Sequence, residues 1–239
     1  MLVMQRVLIT AGAAGIGREI ARAFVGAGAR VCVLDIDATA LAALRVELPA
    51  VTVEVCDLAE LAQIEAVVPR AIAALGGLDV LVNNASSFYP TAIGSIEAGH
   101  WDELIGSNLR APLFIAQEAA PAIRKQRGAI VNIADIHAER PLKGYAVYSI
   151  AKAGLVAMTR VLALELGPEV RVNAVAPGAI AWPEDGQFAP DERARVVATT
   201  PLERLGAPAE VARAVHFLAT APFVTGQVLA VDGGRSVFL

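Results

Sequence analysis

Short runs of β-branched and other apolar residues alternate along the chain with longer stretches that are rich in alanine and leucine. This alternation is typical of strands that are each followed by a helix, the pattern of an α/β fold with a parallel sheet. The predicted strands carry little strict polar alternation, as expected for strands that are covered on both faces. They span residues 7–10, 30–35, 51–56, 79–83, 129–133, 170–175 and 227–231.

The stretches between these strands predict helices at residues 16–27, 38–48, 61–75, 100–125, 147–166 and 209–219. Right-handed crossovers then place the helices on both faces of one seven-stranded parallel sheet. A length of 239 residues suits one domain, 1–239, better than two. Two connections, 85–99 and 177–207, are long for a compact α/β unit, and such loops tend to be lids or substrate walls.

Composition and charge exclude several classes of protein. Hydrophobic residues make up 56% of the chain and charged residues 18%, which rules out a disordered chain. A net charge of −4 offers no electrostatic footprint for nucleic acid or an anionic membrane. Residues 1–6 lack the features of a signal peptide, and no stretch reaches the roughly 18–20 apolar residues that span a bilayer. We therefore expect a soluble protein.

The few cysteine and histidine residues suggest neither a disulfide framework nor a metal site. Cys32 and Cys56 lie in apolar runs without CxxC spacing, so reduced core thiols in a cytoplasmic protein are expected. His100, His137 and His216 have no partner at metal-ligand spacing, and no bound metal is expected.

A glycine-rich turn follows the first predicted strand and leads into the first predicted helix. Gly12, Gly15 and Gly17 lack side chains, which lets the backbone approach a pyrophosphate closely. The free N–H groups and the positive end of the helix that begins near Ile16 would hold its charge. The turn therefore predicts a dinucleotide site, although glycines that serve packing alone give the same pattern.

Asp35 ends the second predicted strand, 20 residues after Gly15, where a carboxylate can accept hydrogen bonds from the adenosine ribose. It would also repel a 2′-phosphate, and neither Ala14 nor Ile36 supplies a neutralising cation. NAD(H) is therefore favoured, while NADP(H) stays possible. Asp57 closes the third strand and is a candidate contact for the adenine amino group, but an ordinary N-cap explains it nearly as well.

Tyr148 and Lys152 are four residues apart, so they share one face of a helix. An ammonium group beside a phenol favours the phenolate. Such a tyrosine can exchange a proton near neutral pH while hydride moves to or from the cofactor. A stacked tyrosine beside a lysine that reaches to solvent would have the same spacing.

Together these motifs resemble the short-chain dehydrogenase/reductase family over essentially the whole chain. The matching pieces are residues 10–17, 83–85, Asn108, Tyr148 with Lys152, Pro177 with Gly178, and residues 232–234. The resemblance implies a doubly wound Rossmann fold, hydride transfer with a nicotinamide cofactor, a small-molecule substrate and commonly a homotetramer. It also implies that Asn108 holds a water in a proton relay and that Lys152 binds the nicotinamide ribose. Lining the cofactor site, by the same resemblance, are Asn84, Ala85, Pro177 and Gly178.

Asp135 stands 13 residues before Tyr148, where most of the family carries a serine. A carboxyl group there can donate or accept a proton, whereas a serine mainly polarises a carbonyl. The alternative is that Asp135 is a loop residue and that Ser149, or no residue, fills the role of the serine.

From about residue 83 onward the sequence resembles the pteridine reductases, which also carry an aspartate at this point. By that likeness Phe88 stacks a flat pterin against the nicotinamide and Ser86 binds its polar edge. A hydrophobic anchor for the loop explains Phe88 about as well. Residues 1 to about 82 instead resemble NAD-type dehydrogenases of the family, with Gly15 where pteridine reductases usually carry an arginine.

Three hypotheses about function follow. The leading one is hydride transfer to a planar C=N or C=O substrate, with a pterin as the best guess. The second is an NAD-dependent alcohol or ketone dehydrogenase of the hydroxyacyl or oxoacyl type, and the remote third is a dinucleotide sensor without catalysis. In the family a mobile substrate loop follows Pro177 and Gly178, so Trp182 and Phe188 are candidate lid contacts. The apolar tail 237–239 is expected at a subunit interface.

Overall fold

Parallel strands form a single sheet in the computed structural model, which describes residues 4–182 and 188–238. The strands are β1 (Arg6–Thr10), β2 (Arg30–Asp35), β3 (Thr52–Val55), β4 (Val80–Asn83), β5 (Ala129–Ile133), β6 (Arg171–Pro177) and β7 (Val228–Val231). Their order is β3-β2-β1-β4-β5-β6-β7, and each neighbouring pair is parallel. The predicted seven-stranded, doubly wound Rossmann fold is confirmed.

Helices cover both faces of this sheet. They are α1 (Gly15–Gly26), α2 (Ala38–Glu47), α3 (Leu61–Leu75), α4 (Ala98–Ile105), α5 (Ala111–Gln126), α6 (Ala146–Glu165), α7 (Pro190–Ala198), α8 (Pro208–Thr220) and α9 (Arg235–Phe238). One core joins α1, α2 and α8 to the sheet, and another joins α3 and α5 to its opposite face. Within β1, Val7 and Ile9 belong to the first core and Leu8 to the second, and all three are fully buried. Burial on both faces explains why the central strands of the sheet are mainly apolar.

The sheet reverses its winding between β1 and β4. The chain runs outward from β1 through β2 to β3, and then returns to place β4 on the other side of β1. The loops that follow β1 and β4 therefore leave the sheet in different directions, which opens a crevice at the carboxyl ends of the strands. Both the glycine-rich turn and the 85–97 loop border this crevice.

Two helical segments differ from the sequence prediction. The predicted helix at 100–125 is divided into α4 and α5 by a π-helical turn at Gly106–Arg110, which contains the buried Asn108. The predicted loop at 177–207 contains α7. No residue of α7 is buried, so the periodic apolar pattern that reveals a core helix is missing from its sequence.

By length and composition α6 meets the requirements for a membrane span, which the sequence analysis did not anticipate. Half of its apolar window is buried within the fold, as in the core helix of a globular domain. Its buried residues include both Tyr148 and Lys152.

Cys32 in β2 and Cys56 after β3 are both buried, and neither forms a disulfide. Burial raises the pKa of Cys32 to about 12 and that of Cys56 to about 11. Since the thiolate is the reactive form, both thiols are chemically quiet.

Candidate active site

The three glycines of the first turn differ in the space that surrounds them. A Cβ at Gly17 would lie 2.3 Å from the Ala11 carbonyl oxygen, and one at Gly12 would lie 2.8 Å from a methyl group of Val33. Both positions are therefore required by packing. Gly15 has φ of +52°, and nothing lies within 4 Å of the place where its Cβ would stand. Only Gly15 presents its backbone to open space.

The amino end of α1, which Gly15 begins, is suited to bind an anion. Its N-cap, Ala14, offers no side-chain hydrogen bond, and the first turn contains no acidic residue. The N–H groups of this turn, including that of Ile16, thus lack a side-chain cap, and the helix dipole adds positive potential. These features fit the pyrophosphate of a dinucleotide.

Asp35 and Asp57, the two aspartates predicted to contact adenosine, have different environments. The Asp35 carboxylate accepts hydrogen bonds from the backbone N–H groups of Ala13 and Asp37, each at 3.1 Å. It therefore lies at the rim of the glycine-rich turn, as its spacing predicted. Asp57 accepts a hydrogen bond from the N–H of Ala59 at 2.9 Å, so it caps a local turn, the alternative that its sequence position left open.

A side-chain clamp holds the end of β1 to the end of β4. The buried Thr10 hydroxyl accepts hydrogen bonds from the N–H groups of Asn84 at 2.9 Å and Ala85 at 3.1 Å. In return the Asn84 amide donates to the carbonyls of Thr10 and Ala11. Asn84 and Ala85 therefore fix the glycine-rich turn at the crevice. The role of Thr10 was not predicted from the sequence. The feature that could have indicated it is a hydroxyl side chain at the last position of a strand before the glycine-rich turn.

A second polar chain runs through the interior to α6. The Asn83 amide donates to the Asn132 side-chain carbonyl at 2.9 Å, and Asn132 donates to the Thr159 hydroxyl at 2.9 Å. Thr159 in turn donates to the carbonyl of Leu155, within α6. Because buried polar groups must be satisfied, this chain stabilises one position of α6 against the sheet.

Tyr148, Asp135 and Lys152 come together where β5 ends and α6 begins. The phenol oxygen of Tyr148 donates to Asp135 Oδ2 at 2.7 Å, and the backbone N–H of His137 donates to Asp135 Oδ1 at 2.7 Å. Lys152 Nζ donates to the carbonyl of Ile133 at 2.9 Å and lies 5.7 Å from the centre of the Tyr148 ring. The hydroxyl of Ser149 instead accepts from the N–H of Leu142, so Asp135 occupies the place beside the phenol.

The structure contradicts the expectation that Lys152 favours a phenolate at Tyr148. Burial, followed by the charge of Asp135 and the hydrogen bond to it, raises the pKa of Tyr148 well above its usual value, while a hydrogen bond with Ser86 lowers it. The carboxylate contacts the phenol oxygen directly, whereas Lys152 lies beside the ring. Burial also lowers the pKa of Lys152 to about 8, against the opposing effect of Asp135. The phenol therefore retains its proton.

Asn108 joins the π-helical turn to the loop that follows β4. Its side-chain carbonyl accepts from the Ser86 hydroxyl at 2.7 Å, and its amide donates to the carbonyls of Ser87 and Leu104. The side chain is thus engaged with protein groups, and a relay water would have to bind at another atom of this residue. The same contacts place Ser86 at the phenol of Tyr148.

The 85–97 loop is also tied to the beginning of α6 through Thr91. Thr91 is buried, its N–H donates to the carbonyl of Gly144 at 2.6 Å, and its hydroxyl accepts from the N–H of Val147 at 3.1 Å. This contact, which was not predicted from the sequence, holds Phe88 against α6. The Phe88 ring stacks on Tyr145, with centroids 4.7 Å apart, and meets Tyr148 edge-on at 4.8 Å.

The candidate lid residues reach the same place. Phe188 lies 6.2 Å from Phe88 with nearly parallel rings, and Trp182 lies 5.5 Å from Phe188. Residues 183–187, the part of the predicted substrate loop between Trp182 and Phe188, lie outside the described residues. Leu239, at the end of the predicted tail, also lies outside them. The described part of that tail includes Val237, which is exposed.

The ends of β6 and β7 complete this edge of the sheet. Pro177 pairs with Val231, so β6 continues two residues beyond its predicted end. A Cβ at Gly178 would lie 2.8 Å from the Asp232 Cα, so close packing against the chain that follows β7 requires glycine there. Among residues 4–182 and 188–238, no group of three or more His, Cys, Asp and Glu side chains is placed to hold a metal ion.

Comparisons with known proteins agree with this geometry. A family model described as enoyl-(acyl carrier protein) reductase matches residues 11–236. Among curated relatives, (2S)-[(R)-hydroxy(phenyl)methyl]succinyl-CoA dehydrogenase subunit BbsD of Thauera aromatica is 38% identical and covers 97% of this chain and 96% of that protein. D-xylose 1-dehydrogenase of Caulobacter vibrioides is 37% identical over 96% of this chain and 95% of that protein. The 3-oxoacyl-[acyl-carrier-protein] reductase FabG of Thermotoga maritima is 37% identical over 95% and 96%.

Solved structures are similar over nearly the whole length. A short-chain dehydrogenase/reductase from Brucella melitensis has a TM-score of 0.89 at 32% identity and covers 97% of this chain and 96% of that one. A blue fluorescent protein from a metagenomic library, solved in complex with NADPH, has a TM-score of 0.90 at 34% identity, with 97% of each chain covered.

Proposed function

The chain belongs to the short-chain dehydrogenase/reductase family and is an NAD(P)(H)-dependent oxidoreductase, and on that premise we propose that it interconverts a ketone and a secondary alcohol. One observation carries the proposal: the phenol of Tyr148 is hydrogen-bonded to Asp135 beside Lys152, at the sheet edge that also presents the glycine-rich turn. Residues 1–239 act as a single catalytic domain. Tyr148, Asp135, Lys152 and Asn108 form its catalytic group.

Tyr148 is the proton donor in reduction. The phenol of Tyr148 would give its proton to the carbonyl oxygen, while a reduced nicotinamide, when bound, would supply the hydride for the carbonyl carbon. The raised pKa of Tyr148 keeps its phenol protonated at neutral pH, as a proton donor requires. The phenolate left behind would stand beside the Asp135 carboxylate, which drives its prompt reprotonation. Lys152 has a pKa of about 8 and its ammonium lies 5.7 Å from the centre of the Tyr148 ring, so it could return the proton.

We propose that the preferred cofactor is NAD(H). Asp35 would accept hydrogen bonds from the ribose hydroxyls and repel a 2′-phosphate. The next residue, Ile36, is apolar and 65% exposed, so it offers that phosphate no charge. The amino end of α1 at Gly15 and Ile16 would hold the pyrophosphate, and Lys152 the nicotinamide ribose. Asp57, Pro177 and Gly178 border the same edge as secondary contacts.

Relatives favour the alcohol or ketone hypothesis over the pterin hypothesis. The three relatives named above act on an acyl-CoA, a sugar and an oxoacyl carrier protein, as their names state. A pterin remains the second candidate because Asp135 replaces the family serine and Phe88 presents a flat ring beside Tyr148. In both cases Ser86, Phe88 and Trp182 would contact the substrate.

Initial rates separate these hypotheses. The purified protein would be assayed with an oxoacyl thioester, simple ketones and dihydrobiopterin, each with NADH and with NADPH. We expect ketone reduction with NADH to be the faster reaction. Reduction of dihydrobiopterin alone would support the pterin hypothesis, whereas NADH binding without turnover of any substrate would support the sensor hypothesis.

We also propose a cytoplasmic homo-oligomer, by family habit a tetramer, with no nucleic-acid or membrane partner. The outer side of α6 supports association, since Ile150, Val161 and Leu164 are exposed by 51%, 54% and 84%. Exposed apolar side chains on a long helix are typical of a subunit interface. Sedimentation of the purified protein measures its oligomeric state directly.

A further inference from the structure

Aromatic side chains lie close to the phenol of Tyr148, the group that must meet the substrate. The Phe88 ring lies edge-on to Tyr148 and flat on Tyr145, with an angle of 13° between the stacked planes. A substrate oxygen that accepts the Tyr148 proton must lie within hydrogen-bond distance of that phenol. A substituent on the reacting carbon can therefore reach the Phe88 ring.

Phe188 shows what kind of group fits against this wall. Its ring is tilted by only 2° from the plane of Tyr145 and by 15° from that of Phe88, at centroid distances of 6.5 Å and 6.2 Å. The backbone carbonyl of Phe188 accepts a hydrogen bond from Arg193, which fixes the chain there. The protein thus places the flat hydrocarbon ring of Phe188 nearly parallel to the rings of Phe88 and Tyr145.

Apolar side chains make up part of this wall. Ser86 and Asp135 contact the phenol oxygen of Tyr148, while the hydrophobic cluster around Tyr145 and Tyr148 includes Leu104 and Leu142. A substrate hydroxyl held against these rings and leucines without a hydrogen-bond partner would cost about 1–3 kcal/mol. A flat ring in the same place would gain stacking contacts.

We propose, building on the oxidoreductase function above, that the substrate carries an aromatic ring on the reacting carbon. It is an aryl ketone in reduction and the matching aryl carbinol in oxidation, and its ring stacks on Phe88 and Tyr145 beside or in place of Phe188. In reduction the carbonyl carbon gains hydride from the reduced nicotinamide and the carbonyl oxygen gains the proton of Tyr148. The C=O π bond becomes a C–H and an O–H bond, and the nicotinamide is oxidised.

A matched pair of ketones tests the proposal. Acetophenone and cyclohexyl methyl ketone carry the same reacting group and six-membered rings, but only one ring is aromatic. The ratio of their kcat/KM values would be measured for the wild type, for Phe88→Leu and for Tyr89→Leu. Tyr89 is the control because it lies in the same loop but faces His100 and Glu103.

The ratio in favour of acetophenone should fall about three- to tenfold in Phe88→Leu, the value of one aromatic pair, and should stay within about twofold in Tyr89→Leu. Comparing variants cancels the different intrinsic reactivities of the two ketones. An unchanged ratio in Phe88→Leu, or an equal fall in Tyr89→Leu, would overturn the proposal.

A binding experiment separates this inference from the proposed function. With NAD⁺ present a ketone can bind but cannot be reduced, so its dissociation constant is measured without turnover, for example by ligand-observed NMR. We expect tighter binding of acetophenone than of the more hydrophobic cyclohexyl ketone, and loss of that preference in Phe88→Leu. Equal or weaker binding of acetophenone contradicts the aryl proposal even if both ketones are reduced with NADH. Failure to reduce any ketone, with the binding preference intact, contradicts only the proposed function.

Discussion

Replacing Asp135 by Asn should make the enzyme oxidise alcohols at lower pH. Oxidation requires the phenolate of Tyr148 as proton acceptor, so its rate rises with pH as the phenol ionises. In the wild type the Asp135 carboxylate opposes that ionisation. Asparagine keeps the shape of the side chain and removes the charge, so the pKa of Tyr148 should fall.

The structure sets a lower limit on this effect. Two negative charges 2.7 Å apart, the distance between the phenol and carboxylate oxygens, repel each other by about 1.5 kcal/mol even with the dielectric constant of water. That energy corresponds to a change of about one pH unit, and the lower dielectric of the buried site increases it. Burial itself, the largest cause of the raised pKa, is unaffected by the substitution.

The assay is the pH dependence of kcat/KM for oxidation of a secondary alcohol with NAD⁺. The midpoint of the rising limb should move down by at least about one pH unit in Asp135→Asn. Ser149→Ala is the matched control, because Ser149 contacts the N–H of Leu142 rather than the phenol, and its midpoint should not move. A midpoint that stays in place or rises in Asp135→Asn would show that the charge of Asp135 does not raise the pKa of Tyr148.

Further substitutions test other parts of the site. Ser86→Ala removes a hydrogen bond that lowers the pKa of Tyr148, so the oxidation midpoint should move up, while Ser87→Ala, whose contact is through its backbone carbonyl, should leave it unchanged. Gly17→Ala places a methyl group 2.3 Å from a backbone oxygen, and urea unfolding should show a loss of about 3 kcal/mol or more in the free energy of unfolding. Gly15→Ala meets no neighbour and should lose only about 1–2 kcal/mol through its positive φ; equal losses for the two variants would contradict this account. Asp35→Asn should reduce the preference for NADH over NADPH about tenfold or more, measured as the ratio of dissociation constants, because it removes the charge that repels a 2′-phosphate; an unchanged ratio would show that Asp35 does not select the cofactor.

The sheet could be predicted from sequence because its strands are buried on both faces. Residues 31–34, for example, are apolar without interruption and are all buried, a pattern typical of a strand covered on both faces. Helix α7 could not be predicted in the same way, since it buries none of its residues and so carries no apolar period. The π-helical turn was not predicted because its Asn108 side chain is held by Ser86 and Ser87, which are distant in sequence.

The composition of the site was more predictable than its electrostatics. Spacing alone brought Tyr148 and Lys152 to one face of α6, and the position of Asp135 singled it out. The direction of the pKa change at Tyr148 depends on which group contacts the phenol oxygen and on burial, and neither can be read from spacing. Thr10 and Thr91 were missed for a related reason, because each acts by holding one loop against another element.

Tyr148→Phe is the sharpest test of the proton-donor assignment, because it removes one oxygen atom and keeps the ring. We expect kcat/KM for ketone reduction to fall by at least about a hundredfold, as for loss of a general acid, while the dissociation constant for NADH stays within about twofold. Turnover at the wild-type rate with NADH still bound would contradict the assignment of Tyr148 as the proton donor.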